Sequence, residues 1–294
     1  MADPALRRRL EAGEFVVAPG VYDMLSVLLA NEVGFDAVYA SGYWLTASAY
    51  GLPDLGVATY TEMVDRVARV AELSRAPVIA DADTGYGGLV NLHRTVRGYE
   101  RAGVSGFQLE DQVFPKKCGH TPDRPVIGLE AMVQKIRVVL DTRTSDDFLV
   151  IARTDARTDY GLDEAVRRGI AYAEAGADLV FVEALTSLDE MRRVCAEVPA
   201  RLLANMAPTG VTPLLTAAEL ESIGYSAAIF PAMTALAAMA VVEGSLRHLR
   251  ASGDSRHPEL GVFDFKRACR LLGFDELREL GERWERFLPT GAGE

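Results

Sequence analysis

The segment Pro77-Val78-Ile79-Ala80-Asp81-Ala82-Asp83-Thr84-Gly85-Tyr86-Gly87 runs from an apolar stretch through two carboxylates into a glycine-rich turn. A short apolar run bounded by a turn reads as a strand buried on both faces, the kind found in parallel sheets covered by helices. Similar runs rich in Val, Ile, Phe, Leu and Ala recur along the chain, placing eight strands at residues 15–20, 36–41, 77–83, 106–111, 148–155, 179–184, 201–206 and 227–232. Helical patterns lie between them. Residues 60–73 set Met63, Val67, Val70 and Ala71 at three- and four-residue intervals, with Thr61 as the expected cap, and 130–140, 162–175 and 234–250 look alike.

Two details select a closed (β/α)8 TIM barrel over an open sheet. Gly34, Gly103 and Gly176 each stand where a helix must close and turn into the next strand. Polar residues gather at the strand ends: Ser41, Asp81, Asp83, Glu110, Asp111, Arg153, Asp155, Glu183 and Asn205. In a barrel that rim carries the chemistry. The 294 residues read as one barrel domain with a C-terminal helical extension over residues 251–294. Helices are expected there at 263–272 and 275–287, and their apolar side chains call for docking on the barrel or on a neighbouring subunit.

With 49% hydrophobic and 25% charged residues the chain can bury a large core under a soluble surface. A net charge of -11 argues against nucleic acid or an anionic membrane as partner. It also means that an anionic ligand needs a local reversal of field, which a divalent cation would supply. Cys118, Cys195 and Cys269 are too few and too scattered for a disulfide framework or a structural zinc site, which points to a reducing cytoplasm. No apolar run of signal or membrane-spanning length is present.

Asp81 and Asp83, two residues apart on a strand end, point to one face and offer hard oxygens suited to Mg2+ or Mn2+. The alternative is one Asp capping the turn and the other solvated. Glu110 either joins that shell or forms an ordinary ion pair, and Asp54 is explained equally by turn chemistry. Cys118 lies between Lys116-Lys117 and Gly119-His120 in a loop with little apolar character. Neighbouring cations favour a thiolate, so Cys118 is a candidate acid, base or nucleophile, with His120 either its partner or a surface histidine. Arg153 ends an apolar strand, where a substrate carboxylate, Glu183 or Asp155 would satisfy it.

Together, Gly51-Leu52-Pro53-Asp54, Asp81-Ala82-Asp83-Thr84-Gly85-Tyr86-Gly87, Leu109-Glu110-Asp111-Gln112, Lys116-Lys117-Cys118-Gly119-His120 and Ala152-Arg153-Thr154-Asp155 resemble, in order, the motifs of the isocitrate lyase/phosphoenolpyruvate mutase superfamily. The resemblance spans residues 15–250. It implies a (β/α)8 barrel, a Mg2+ ion, a mobile loop over residues 114–125 and a homotetramer, a dimer of dimers that exchange a C-terminal helix. The Cys in the loop resembles the lyase branch, in which the carbon–carbon bond of a 2-hydroxy acid is cleaved and the Cys protonates the aci-carboxylate released. By position, Asp81 and Asp83 would hold the metal, with Glu110 in its water shell. Ser41, Gly42 and Tyr43 would offer backbone N–H groups to a carboxylate, and Gly119, Arg153, Glu183 and Asn205 would bind substrate. Cys118 and His120 would serve catalysis, and Tyr39 and Asp54 are candidates for the base.

Two departures bear on the substrate. Methylisocitrate lyases usually read Ser-Gly-Gly where this chain has Ser41-Gly42-Tyr43-Trp44, and they carry an Arg for the third carboxylate where Leu236 stands here. Replacing a cation by an apolar side chain disfavours a tricarboxylate. The expectation is therefore a 2,3-dimethylmalate-lyase-like activity. 2-Methylisocitrate cleavage and oxaloacetate hydrolysis are the rivals, and a non-catalytic carboxylate-binding barrel is the reading from another class.

Overall fold

A computed structural model describes residues 2–119, 121, 123–208 and 210–287. Eight parallel strands close in sequential order: β1 (Val16–Val21), β2 (Val38–Ala40), β3 (Val78–Asp81), β4 (Gly106–Glu110), β5 (Leu149–Thr154), β6 (Leu179–Val182), β7 (Arg201–Asn205) and β8 (Ala227–Phe230), the last pairing with β1. The fold is the expected (β/α)8 barrel. Each strand begins within a residue of its expected start, or two for β2, and ends no later than expected except β1. Among the polar rim residues, Asp81, Glu110, Arg153 and Asn205 stand in paired register near the strand ends, and Ser41, Asp83, Asp111, Asp155 and Glu183 follow their strands.

The alternation of side chains builds two cores. One face of every strand packs against the surrounding helices, for example Phe107 and Leu109 of β4 against Leu92, Val96, Met132 and Ile136, all fully buried. The other face fills the barrel with Val16, Ala18, Ile79, Leu149, Ile151, Leu179 and Leu203. The helix Pro4–Glu11, which the strand-and-helix pattern did not announce, adds Leu6 and Leu10 to this inner core and closes the N-terminal end. Each such buried Leu contributes about 1.5–3 kcal/mol. With that end plugged, the barrel opens toward a ligand at the opposite mouth.

The helix Tyr60–Leu73 spans the expected residues, but its cap stands two residues earlier than expected. Its cap is Thr59, not Thr61, because Glu62 stands at the third helical position and completes a reciprocal capping box. Gly34, Gly103 and Gly176 do take positive φ values at helix ends (84°, 89° and 99°). The chain divides into two compact units, residues 1–236 and 237–294, with the division inside the helix Met233–Ser252. The second unit continues with the helices Phe265–Leu271 and Phe274–Glu285, close to the expected spans. Among the described residues no helix is long and apolar enough to cross a membrane.

Candidate active site

The C-terminal ends of the strands surround a cavity of about 290 Å3. Tyr39, Ser41, Tyr43, Asp54, Asp81, Glu110, Cys118, Gly119, Arg153, Glu183 and Asn205, all singled out from sequence, line it. Trp44 and Leu236 line it too, so the two departures from the methylisocitrate lyase pattern both face the ligand space. Asp83 reaches the site through Lys116, and His120 lies outside the described residues.

The helix Gly42–Tyr50 starts directly at the mouth, with Ser41 as its N-cap. Its first-turn N–H groups have no acceptor within the helix, which suits them to a carboxylate. Ser41 itself is an exception to the expected trio, since its N–H donates to the Val21 carbonyl (3.4 Å). Gly42 has a steric reason: a Cβ there would stand 2.7 Å from Asp81 Oδ2. Gly119 has another, because a Cβ would collide with the Arg153 guanidinium and lie 3.2 Å from Glu183 Oε2. The loop that carries Cys118 thus sits down on the substrate-side arginine. Gln112 fixes its path, accepting from Lys117 N (2.9 Å) and donating to the Lys117 carbonyl (3.0 Å).

Behind the cavity the polar groups are paired. Asp155 accepts from Arg153 through both Nε and Nη2 (2.9 and 2.8 Å) and also holds Arg124, whose backbone N–H donates to Asp159. Burial pushes the Asp155 carboxyl up, but Arg153 and Arg124 outweigh it and hold it below the usual range. Asp111 accepts from the Asp155 N–H, Arg168 and Tyr172 (2.9, 3.0 and 2.6 Å). Arg153 therefore has the structural partner that the sequence left open, and it also faces Glu110 and Glu183 at 3.5 Å each. Such a clamp fixes the guanidinium while leaving room for a ligand anion.

In front the balance is different. Lys116 is buried, forms a close ion pair with Asp54 and stands 2.7 Å from Asp83 Oδ1. Burial alone would lower its pKa, but Asp83 and Asp54 raise it well above the ordinary lysine value. Asp54 is thus more than a turn residue: it ties the loop after β2 to the Cys118 loop. Burial raises the pKa of Asp81, with Asp83 adding to the effect, and burial likewise raises Asp83 and, further, Glu110. Asp83 also holds φ 48°, a left-handed conformation rare outside glycine and often kept at functional sites. Tyr39, one candidate base, is buried with its pKa pushed well up by burial and by Asp81. Its phenol suits a hydrogen-bond donor, and it donates to Gln108 Oε1 (3.2 Å).

These residues fit a hard dication in chemistry. Three buried carboxylates with raised pKa values face one region, and Glu110 Oε1 has no hydrogen-bond partner. They do not form a ready-made ligand cluster among the described residues, since Asp83 is engaged by Lys116. Sequence reasoning missed Gln108, Phe181, Pro208 and Pro231, which line the cavity, and the double pairing of Lys116. Gln108 left a signal, a polar residue with the same strand parity as Glu110 in the middle of an apolar run. The Lys116 pairing depends on where a loop folds and left none.

Residues 6–250 match the family model described as phosphoenolpyruvate phosphomutase. A 2,3-dimethylmalate lyase of Eubacterium barkeri is 46% identical over 279 residues, covering 94% of this chain and 95% of the relative. A 2-methylisocitrate lyase of Aeropyrum pernix is 45% identical over 251 residues, covering 85% and 80%. Among solved structures, oxaloacetate acetylhydrolase in complex with the inhibitor 3,3-difluorooxalacetate superposes with a TM-score of 0.90 at 36% identity and 96% coverage of both chains. A phosphonopyruvate hydrolase complex with oxalate and Mg2+ gives 0.87 at 31% identity, covering 97% of this chain and 99% of that one. Matched over nearly its whole barrel, with the loop cysteine set against Arg153 and the rim carboxylates, the chain belongs to the phosphoenolpyruvate mutase/isocitrate lyase superfamily and is a carbon–carbon lyase.

Proposed function

We propose that the substrate is a 2-hydroxy dicarboxylate with alkyl substituents, of the 2,3-dimethylmalate type, cleaved to a 2-keto acid such as pyruvate and a monocarboxylate. The observation that carries this reading is the apolar wall: Leu236, Tyr43 and Trp44 line the cavity, whose cations among the described residues are Lys116, Lys117 and Arg153. Methyl groups gain from such a wall, whereas a third carboxylate would be buried there unpaired.

Asp81 and Asp83 would hold Mg2+, with Glu110 through water, and Mn2+ would suit the same oxygens. When bound, the ion supplies Lewis-acid stabilisation of negative charge on oxygen. Arg153 binds a substrate carboxylate and adds fixed charge beside Glu183 and Asn205. The 2-hydroxyl gives up its proton, the C2–C3 bond breaks with its electron pair passing to C3, and the Cys118 thiol delivers a proton to that carbon. Asp54, set against Lys116, remains the better candidate for the base, because Tyr39 acts as a donor. Gly119 lets the loop lie close enough to exclude water.

The test is purified protein with Mg2+ and 2,3-dimethylmalate, 2-methylisocitrate, isocitrate and oxaloacetate, assayed for pyruvate, glyoxylate and oxalate. Preferred pyruvate release from 2,3-dimethylmalate supports the reading. Turnover of 2-methylisocitrate or oxaloacetate alone replaces the substrate, and no turnover at all removes the assignment. The same reading places the enzyme in the cytoplasm as a dimer of dimers with exchanged C-terminal helices, which light scattering at catalytic concentrations checks.

A further inference from the structure

Gln108 is 1% exposed, yet it borders the cavity and its amide nitrogen has no hydrogen-bond partner. An unpaired buried amide donor is rare, because losing its water without a replacement is costly. The strand alternation aims the side chain inward, with Glu110 two residues further along β4 and Asp81 in register on β3. Its carbonyl oxygen is already engaged by the Tyr39 hydroxyl. That bond sets the amide orientation: with the phenol as donor, the oxygen must face Tyr39 and the NH2 must face the carboxylate-lined cavity, the electrostatically favourable way round.

We propose that Gln108 is a substrate-binding residue whose amide nitrogen donates a hydrogen bond to an oxygen of the bound carboxylate ligand, and that Tyr39 is the positioning residue that fixes the amide. The assignment rests on the reading of this cavity as a carboxylate site and adds a neutral donor beside the carboxylates of Asp81 and Glu110. A donor without charge discriminates without attracting: it accepts a ligand oxygen at that point and penalises a ligand that puts a methyl group there. Tyr39 thereby has a role other than the base considered from sequence.

Two variants separate binding from structure. Gln108→Met keeps the volume and removes the donor, and Gln108→Glu keeps an acceptor for Tyr39 but also lacks the donor. Oxalate binding in the presence of Mg2+ is measured by calorimetry, and thermal unfolding is measured without ligand. The expected result for Gln108→Met is a Tm within about 3 °C of the wild type, because the unpaired amide donor is removed while the Tyr39 hydroxyl loses its acceptor, with oxalate affinity lower by roughly 10- to 100-fold. Gln108→Glu should lose at least as much affinity. Tyr39→Phe should weaken oxalate binding in the wild-type background and have no further effect beside Gln108→Met, the mark of action through the amide.

A fall in Tm of more than about 3 °C for Gln108→Met, or its failure to fold, makes Gln108 structural and overturns the proposal. So does unchanged oxalate affinity in either Gln108 variant, or no oxalate binding by the wild type. A wild type that cleaves none of the 2-hydroxy acids but binds oxalate through Gln108 removes the substrate assignment and leaves this one standing.

Discussion

Leu236→Arg puts the specificity argument to its hardest test, because it restores a cation at the point where the cavity wall is apolar. Leu236 is the fourth residue of the helix Met233–Ser252, and its backbone N–H donates to the Ala232 carbonyl (3.0 Å), so the backbone there is fixed and only the side chain changes. A charge-assisted hydrogen bond to a third carboxylate contributes about 1.5–3 kcal/mol, or at least tenfold in kcat/KM for 2-methylisocitrate. Removing an apolar contact from an alkyl group costs about 1–3 kcal/mol, so 2,3-dimethylmalate should lose about tenfold or more. The ratio of the two kcat/KM values should therefore shift by roughly 100-fold toward the tricarboxylate. Both substrates release pyruvate, so one coupled assay with lactate dehydrogenase reads both. Leu236→Gln, similar in length but uncharged, separates charge from shape. A ratio that moves less than about threefold in the Arg variant, or that moves as far in the Gln variant, would refute the reasoning.

Cys118→Ser should reduce turnover by roughly 10^2- to 10^4-fold, the range of a lost general acid, while Tm and Mg2+ affinity stay within error; activity within a few-fold of wild type takes the acid role away from Cys118. Arg124→Met leaves Asp155 with one of its two buried guanidinium partners, so a loss of about 3 kcal/mol in stability is expected by denaturant unfolding, with KM rising more than kcat falls as Arg153 loosens. The pH profile of stability offers a sign test. Burial raises the pKa values of Asp81, Asp83 and Glu110, so the folded state binds protons that the unfolded state has released. Stability in EDTA should accordingly rise as the pH falls from neutrality toward about 4, and saturating Mg2+ should flatten that part of the curve; identical profiles with and without Mg2+ would mean that these carboxylates hold no ion.

The barrel was legible because its information is local. Eight apolar runs, the glycines that end helices and the polar strand termini are each readable within a few residues, and β3 with Asp81 and Asp83 combined the first and the last. The parts that were not legible are those set by distant segments. The helix Pro4–Glu11 offers only Leu6 and Leu10 as its buried stripe, and their value lies in the barrel end that they fill. Lys116 was read as one cation beside a thiol. Its burial between Asp54 and Asp83 follows from how the loops after β2, β3 and β4 meet.

Neighbouring residues on β4 and just beyond it show what hydrogen-bond satisfaction adds to the sequence pattern. Glu110 and Asp111 are adjacent carboxylates, equally buried and indistinguishable by type or by distance from the strand end. The alternation sends them to opposite sides. Asp111 turns to the rear wall, where Asp155 N–H, Arg168 and Tyr172 satisfy it, and there it positions the backbone that carries the Arg153 clamp. Glu110 turns inward and keeps Oε1 unpaired, as Gln108 keeps Nε2 and Asn205 keeps Oδ1. Asp111 on the rear wall is satisfied by the protein, whereas these three cavity-lining groups each keep one atom without a protein partner. Since an incomplete buried group lowers stability until something binds, the three orphaned atoms mark where the free energy of ligand binding is gained. Apolar substitution at Gln108, which removes one unpaired atom and one hydrogen bond, should therefore cost the unliganded enzyme less stability than the same change at Asp111, which accepts from three donors.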